Sequence, residues 1–329
     1  MKPALIFAAG LLASTTMVAA QDTPVLTVYA GDYIVSEWGP GPKIEEMFEA
    51  QCDCDLQFKP GDLLPRILLE GAQTDADIVF GLNTDVTKRA RESGLFAPHG
   101  QDTSSLTLPV EWTDEVFLPY NYGHTAFIYN EERISDVPES FGALLNASDD
   151  LKIVIQDPRS SISGLALVLW VKAVYGDEAE QVWEQLAPKI LTVTKGWSES
   201  YGLFTDGEAD MVLSYTTSPA YHIIAEEDRT KKAAIFPEGH YFMVELSAKV
   251  AGTDVPELAD QFLAFQLSED FQTMIATGNW SFPAKLDASQ WPDGFKELNL
   301  PEKVLFYSEA EAASLRDETV EEWRRALSQ

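Results

Sequence analysis

Two long extended segments divide this sequence, and they limit how the chain can fold more than any other feature. Residues 119–129 and 241–250 are rich in apolar and aromatic side chains and exceed the other predicted strands in length. Each follows a block in which short strands alternate with helices, the pattern of a mainly parallel sheet covered by helices. We therefore predict an α/β protein with two lobes linked by two shared strands.

The predicted lobes follow from where the two extended segments lie. The chain would cross into the second lobe at the first segment and return through the second. Lobe 1 is then expected to comprise residues 21–118 and 252–329, and lobe 2 residues 119–251. A chain of 329 residues is also larger than one hydrophobic core usually supports. Because ligands of open α/β sheets bind beyond the carboxyl ends of the strands, we expect a ligand cleft between the lobes.

The first twenty residues have the features of a secretory signal peptide. Lys2 precedes the apolar run 4–13, and small residues at 18–20 form a cleavage site before Gln21. The apolar run is too short to span a membrane. We expect cleavage after residue 20 and export of the remaining chain as a soluble protein.

The sequence is strongly acidic, with a formal net charge of −30. Nucleic acids and anionic membrane surfaces are therefore poor partners. A small cationic ligand would be attracted, although salt confines this attraction to about 8–10 Å. Solubility in a salty exterior explains the acidity equally well, so the charge restricts the partners without selecting one.

The two cysteines, Cys52 and Cys54, are separated by one residue. In an oxidising compartment we expect them to pair with each other, although a bridge over so short a loop contributes little stability. A metal or redox site is the weaker interpretation, because no histidine or second cysteine pair lies nearby.

Four predicted strand-to-helix junctions carry more hydroxyl and aromatic side chains than packing requires. They are residues 32–42, 156–164, 194–202 and 212–221. In the last of these, Ser218 is the expected N-cap and Pro219 the first residue of a helix. These residues could also have purely structural roles, since aromatic side chains bury large areas in ordinary cores and serines cap helices. Their position at the junctions favours a ligand site.

Evidence for catalysis is thin. The chain contains no GxSxG, HExxH or P-loop motif, and its four histidines show no spacing typical of a metal pair. A Ser161–His222–Asp triad can be drawn, but nothing in the sequence favours it over chance. We expect no catalytic residues, no metal and no cofactor.

Several segments together resemble the periplasmic thiamine-binding proteins of bacterial ABC importers. They are WGPGP (38–42), QDPRSS (156–161), VTKGWSESYGLF (193–204), LSYTTSPAYHI (213–223), EGHY (238–241), TGNW (277–280) and the cysteine pair. The resemblance covers essentially the whole chain after the signal peptide. It implies a type II periplasmic binding protein: a monomer in the periplasm, with two lobes and a ligand cleft. Such a protein binds thiamine and its mono- and diphosphates and delivers them to a membrane permease.

The same resemblance implies the ligand-binding residues. They are Ser161, Ile162, Trp197, Tyr215, Thr216, Thr217, Ser218, Tyr221 and Trp280, with Asp32, Trp38, Gly61 and Asp62 flanking the site. Aromatic faces suit the flat, cationic vitamin, and hydroxyl groups suit its polar tail. The chain departs from the family pattern at Gly31, where an aromatic residue is expected, and in the shortened loop 59–62.

Two other functions stay open. An iron(III) binder of the same fold would use clustered phenolates, and Tyr215 and Tyr221 are six residues apart. An exported enzyme would use Ser161 or degrade thiamine through a cysteine, but both cysteines are expected to be paired. A structural or adhesive role is disfavoured by the aromatic residues expected in the cleft.

Overall fold

The computed structural model describes residues 23–36 and 39–328. The predicted signal peptide, residues 1–20, and the predicted site residue Trp38 lie outside the described residues. Within the described ranges, no helix is both long enough and apolar enough to cross a membrane.

Strands and helices alternate along most of the described chain, as predicted. The strands are β1 (Val25–Ala30), β2 (Asp55–Pro60), β3 (Ile78–Asn83), β4 (Phe96–Ala97), β5 (Phe117–Asn130), β6 (Ile153–Gln156), β7 (Ile190–Thr194), β8 (Met211–Tyr215), β9 (Lys231–Ala234), β10 (His240–Val250), β11 (Phe282–Pro283) and β12 (Val304–Leu305). The α-helices are α1 (Asp32–Val35), α2 (Gly41–Glu49), α3 (Leu63–Glu70), α4 (Thr84–Glu92), α5 (Phe141–Leu145), α6 (Ile162–Tyr175), α7 (Ala179–Leu186), α8 (Trp197–Thr205), α9 (Pro219–Ala225), α10 (Pro256–Gln266), α11 (Glu269–Gly278), α12 (Asp293–Lys296) and α13 (Glu309–Leu327).

The main strands form one path in the order β2-β1-β3-β10-β5-β8-β6-β7. At one end β1 pairs in parallel with β2 and β3, and at the other end β6 pairs in parallel with β7 and β8. The long strands β5 and β10 lie between these parallel groups and pair antiparallel with their neighbours. The two extended segments predicted from the sequence are therefore the strands that join the two groups.

Strand β5 divides its pairing between the two parts of the sheet. Its first half, up to His124, pairs with β10, whereas residues from Thr125 onwards pair with β8 and β9. The register of β10 shifts on either side of Leu246, in its pairings with β5 and with β3. Such irregularities bend a strand and redirect its side chains.

Helix α6 is anchored deeply in one hydrophobic core. Residues 165–171 are at most 3% exposed, and the Trp170 ring packs against Phe141 and Phe236. The indole N–H of Trp170 donates to the backbone oxygen of Gly239 at 2.8 Å. A helix held in this way fixes the position of its first turn, which lies at the candidate site.

The C-terminal helix α13 contacts both parts of the molecule. It packs against α4 and also against α6 and α7. The buried Lys172 of α6 donates to Glu318 and Glu322 of α13 at 2.9 and 2.8 Å. The lobe boundaries, in which residues 252–329 belong to lobe 1, stay a prediction.

Cys52 and Cys54 are bonded to each other in the structure. They lie between α2 and β2, beside the core that contains Phe48.

Candidate ligand-binding site

Three parallel strands end at one edge of the sheet, and a helix begins beyond each of them. Gln156 at the end of β6 lies opposite Thr194 of β7, and β8 runs parallel to β6 on its other side. Helices α6, α8 and α9 start within a few residues of these strand ends. Because parallel strands place their carboxyl ends together, three of the predicted junctions lie together at this edge.

The start of α6 is tied to the end of β8. Tyr215 donates its phenolic hydrogen to Ser163 Oγ at 2.8 Å. Ser161 caps α6, with its Oγ accepting from the Gly164 N–H at 3.4 Å, and Ile162 is the first helical residue. Ser161, Ile162 and Tyr215 are all half-buried. Of the predicted residues, these three are therefore neighbours with faces open to solvent.

Trp197 is the first residue of α8 rather than part of an irregular loop. Its indole N–H donates to Ser214 Oγ at 2.8 Å, and its ring stacks on Tyr201 with centroids 4.7 Å apart. Ser214 Oγ in turn lies 2.7 Å from Ser218 Oγ. The half-buried indole is therefore held by a hydrogen bond and a stacked ring, with part of its surface exposed.

The turn from β8 to α9 contains buried hydroxyl groups that lack partners. Thr216 and Thr217 are fully buried, and neither Oγ1 atom hydrogen-bonds to any of the described residues. A Cβ atom added to Gly123 of β5 would lie 3.8 Å from Thr217 Oγ1 and 3.6 Å from the Tyr215 Cβ. Since a buried hydroxyl without a partner is unfavourable, a ligand atom or water reaching Thr217 would stabilise it.

Ser218 and Pro219 begin α9, as predicted from the sequence. The Ser218 side chain makes no capping bond, however, and contacts Ser214 and the Tyr215 N–H instead.

Tyr221 and Trp280 meet although they are far apart in sequence. Their rings pack edge to face with centroids 5.2 Å apart, and both residues are half-buried. Trp280 has a φ of +51°, a conformation that is uncommon for residues other than glycine. This backbone turns the indole towards α9.

Asp32 and Tyr33 approach the same region from the end of β1. A Cβ atom added to Gly196 would lie 3.4 Å from Asp32 Oδ2, so Asp32 is next to the turn before Trp197. A Cβ atom on Gly31 would lie 2.8 Å from Tyr33 Cδ1 and closer still to Cε1. The Tyr33 ring thus occupies the space that a side chain at position 31 would need, which gives a physical reason for glycine there.

Gly61 and Asp62 lie at the carboxyl end of β2 and are exposed. The Gly61 N–H donates to the Ala30 oxygen at 3.2 Å, which places this loop beside the end of β1. Asp62 precedes α3 without a side-chain capping bond.

Sequence reasoning missed a buried carboxylate, Glu245 of β10, which is 4% exposed. It accepts hydrogen bonds from the Tyr33 hydroxyl at 2.7 Å and from the amides of Asn121 and Asn279 at 2.7 and 2.6 Å. The signal was present, because Glu245 is the only acid in the otherwise mainly apolar segment 241–250.

Burial keeps the phenols of this region protonated. It raises the pKa values of Tyr215, Tyr201 and Tyr221, and nearby carboxylates add to the effect. Burial also raises the pKa of Glu245, while the hydrogen bonds that it accepts oppose this. The tyrosines therefore offer ring faces and neutral hydroxyl groups rather than phenolate anions.

His222 does not meet Ser161, so the triad drawn from the sequence is not formed. Its ring nitrogens contact the Tyr201 hydroxyl at 3.0 Å and Glu226 at 2.6 Å. Within the described residues, His222, Glu226 and Asp228 bring ligand atoms close enough together to hold a metal ion. Asp228 already forms an ion pair with Lys231 at 2.5 Å, and the other two side chains bond to each other.

Comparisons with known proteins show what the chain is similar to. The sequence profile described as "Bacterial extracellular solute-binding protein" matches residues 43–301. The "Thiamine-binding periplasmic protein" of Brucella melitensis biotype 1 is 47% identical over 314 residues, 94% of each chain. The protein of the same name from Escherichia coli K12 is 44% identical over 93% of this chain and 94% of its own.

The chain belongs to the family of thiamine-binding periplasmic proteins.

Solved structures agree with this assignment. A structure titled "Periplasmic thiamin binding protein" has a TM-score of 0.91 and 42% identity, covering 97% of this chain and all of its own. Iron-bound HitA from Pseudomonas aeruginosa, at 22% identity with a TM-score of 0.75, covers 92% of this chain and 99% of its own and shares the fold alone. These matches confirm the predicted type II periplasmic binding fold, and the names of the family members confirm the periplasmic location.

Proposed function

We propose that this protein captures thiamine at the edge where β6, β7 and β8 end, and delivers it to the permease of an ABC importer. The observation that carries the proposal lies at the end of β8, where Trp197 donates to Ser214, the residue before Tyr215, and where the buried Thr217 hydroxyl has no hydrogen-bond partner among the described residues. The chain bearing this site is 47% identical to a protein named for thiamine binding.

The aromatic residues suit the cationic thiazolium and the flat aminopyrimidine. Trp197 and Tyr221 each have a half-buried ring supported by a second ring, Tyr201 and Trp280 respectively. Supported rings lose little freedom on binding, which favours affinity. A cation over an aromatic face gains roughly 0.5–2 kcal/mol, with the larger values at desolvated sites.

The hydroxyl groups suit the polar tail of the ligand, and we propose that phosphate esters are accepted too. Ser161 and Ser163 lie at the start of α6, a 14-residue helix whose first N–H groups favour an anion. The neighbouring Lys195 is exposed, and its backbone oxygen accepts from Ser160 Oγ at 2.8 Å. A phosphate group at the start of α6 would then lie close to the Lys195 ammonium group and to the first N–H groups of the helix.

We propose that lobe 1 (residues 21–118 and 252–329) and lobe 2 (residues 119–251) close over the ligand, and that β5 and β10 bend as they do so. These strands join the two groups of parallel strands, so a hinge motion would act through them. The protein is proposed to act as a monomer.

Binding without catalysis fits these side chains better than the alternatives. Ser161 serves as a helix cap, and His222 is occupied by Tyr201 and Glu226. An iron(III) site would use clustered phenol oxygens, whereas the Tyr215 hydroxyl donates to Ser163 and the Tyr221 ring packs against Trp280. We propose that the protein is not an enzyme and holds no iron.

Calorimetric titration of the mature chain with thiamine, its monophosphate and its diphosphate tests this function. We expect binding with one site per chain and a change in tryptophan fluorescence from Trp197 and Trp280. Adding iron(III) should give no visible charge-transfer band. If iron(III) gives a charge-transfer band and no form of thiamine gives a heat of binding, the protein is an iron(III) binder and the proposal is wrong.

A further inference from the structure

Glu245 is a buried acid on a strand that joins the two parts of the sheet. It is 4% exposed and lies beside the register shift of β10. A charge in such a place is unfavourable unless hydrogen bonds compensate it. Three side chains supply them: Tyr33 donates to Oε1, and Asn121 and Asn279 donate to Oε2. All three partners donate, which is the arrangement that stabilises an ionised carboxylate.

The three donors come from three separate elements. Tyr33 lies in α1, Asn121 in β5, and Asn279 directly after α11. Asn279 immediately precedes Trp280, whose φ of +51° turns its ring onto Tyr221. The carboxylate therefore holds the backbone that presents the Trp280 indole.

The Tyr33 ring is held by shape as well as by this hydrogen bond. Two glycines make room for it: a Cβ atom on Gly31 would collide with the ring, and one on Gly81 would lie 2.7 Å from its hydroxyl oxygen. Tyr33 is half-buried, so part of the ring stays accessible. Its neighbour Asp32 lies beside Gly196, the residue before Trp197. Tyr33 is therefore one residue away from a contact with the turn that precedes Trp197.

The carboxylate is close to the rings of the proposed site. Tyr215 lies near enough for the charge on Glu245 to raise its pKa, after the larger effect of burial. The pairing of β10 with β5 agrees with this: Glu245 lies opposite Asn121, two residues from Gly123, and a Cβ atom added to Gly123 would lie 3.6 Å from the Tyr215 Cβ. An ion pair is stronger in such a place than in water, because few water molecules screen it.

We propose that Glu245 sets the preference of the site for a positively charged ring, by placing a buried negative charge beneath it and by positioning Tyr33 and Trp280. This inference rests on the proposed function. Glu245 acts on the ligand through its charge and on the two rings through its hydrogen bonds.

The test compares two ligands that differ in one charge: thiamine and an analogue in which a neutral thiophene replaces the thiazolium. Calorimetry gives Kd for both with the mature wild-type chain and with Glu245→Gln, which keeps the shape and removes the charge. We expect Glu245→Gln to weaken thiamine by about tenfold more than it weakens the neutral analogue. Tyr33→Phe, which removes one hydrogen bond and no charge, should weaken both ligands by a similar factor.

Two further variants serve as controls. Glu70→Gln changes the net charge by the same amount and also removes a carboxylate that accepts from a tyrosine, Tyr29, at 2.9 Å. It should change neither Kd, because its effect would be limited to long-range attraction. Glu245→Asp keeps the charge, so it should preserve the wild-type ratio of the two Kd values even if both ligands bind more weakly. If Glu245→Gln fails to fold, the wild-type chain still tests the proposal, because equal Kd values for thiamine and the neutral analogue would mean that the site has no preference for the positive charge.

The outcomes separate this inference from the proposed function. Equal weakening of both ligands by Glu245→Gln, or equal affinity of the wild-type chain for thiamine and the neutral analogue, would overturn the role of the charge. A wild-type chain that binds neither ligand would overturn the proposed function itself.

Discussion

Acidification should destabilise the protein through His124, a histidine in the middle of β5. His124 is 6% exposed, and neither ring nitrogen has a hydrogen-bond partner among the described residues. Burial lowers its pKa from 6.5 to about 4, with a smaller contribution from the nearby His240. Between these values the unfolded chain binds a proton that the folded protein does not. Stability is therefore lost as the pH falls from about 6.5 to about 4.

The magnitude follows from the difference between the two pKa values. At about 1.4 kcal/mol per pKa unit, a fall from 6.5 to about 4 corresponds to about 3.4 kcal/mol at full effect. About 2 kcal/mol of this should be lost between about pH 7.5 and about pH 5. His240, whose pKa burial also lowers to about 4, should act in the same direction.

Urea unfolding of the wild type and of His124→Gln over this pH range measures the effect. The wild type should lose about 2 kcal/mol more than the variant between the two pH values. Tyr122→Phe is the matched control, because this neighbouring ring does not titrate in the range and its effect should be the same at both pH values. Parallel curves for the wild type and His124→Gln would refute the reasoning.

Four further substitutions test the site. Trp197→Ala and Tyr221→Ala should each weaken thiamine binding by about tenfold or more, since each removes a supported ring. Unchanged affinity with a lowered melting temperature would show that Trp197 and Tyr221 are core residues instead. Thr217→Val should weaken thiamine binding and leave the free energy of unfolding unchanged or higher, because the hydroxyl that it removes has no partner in the described structure. Calorimetry measures the affinity and urea unfolding the stability, and undiminished affinity would contradict the prediction. Gly31→Ala should displace the Tyr33 ring and lower both affinity and stability, since the added Cβ would collide with it; a variant as tight and stable as the wild type would contradict this.

Much of the fold could be predicted from local pattern. The alternation of strands and helices, and the long segments that became β5 and β10, follow from apolar periodicity and from stops such as Gly71 after α3. The junction 194–202 was predicted without the residue at which its helix begins, because the first turn of α8 is polar and glycine precedes it. The strand order could not be read from the sequence, since it depends on pairings between residues as distant as Phe80 and Ser247.

The candidate site was predictable where its residues lie at strand ends. The junctions containing Ser161, Trp197 and Tyr215 were recognised because hydroxyl and aromatic side chains follow apolar strands there. The hydrogen bonds of Glu245 could not be predicted, because its partners Tyr33 and Asn279 come from elements far away in the chain. Contacts of this kind depend on how the strands β5 and β10 bring the elements together.

A crystal structure of the protein with thiamine bound tests the central claim most directly. We expect the thiazolium to lie within about 6 Å of the ring centroid of Trp197, Tyr215, Tyr221 or Trp280. We also expect a ligand atom or a bridging water within hydrogen-bonding distance of Thr217 Oγ1. Thiamine bound elsewhere, with these rings packed against the protein and out of contact with it, would contradict the account.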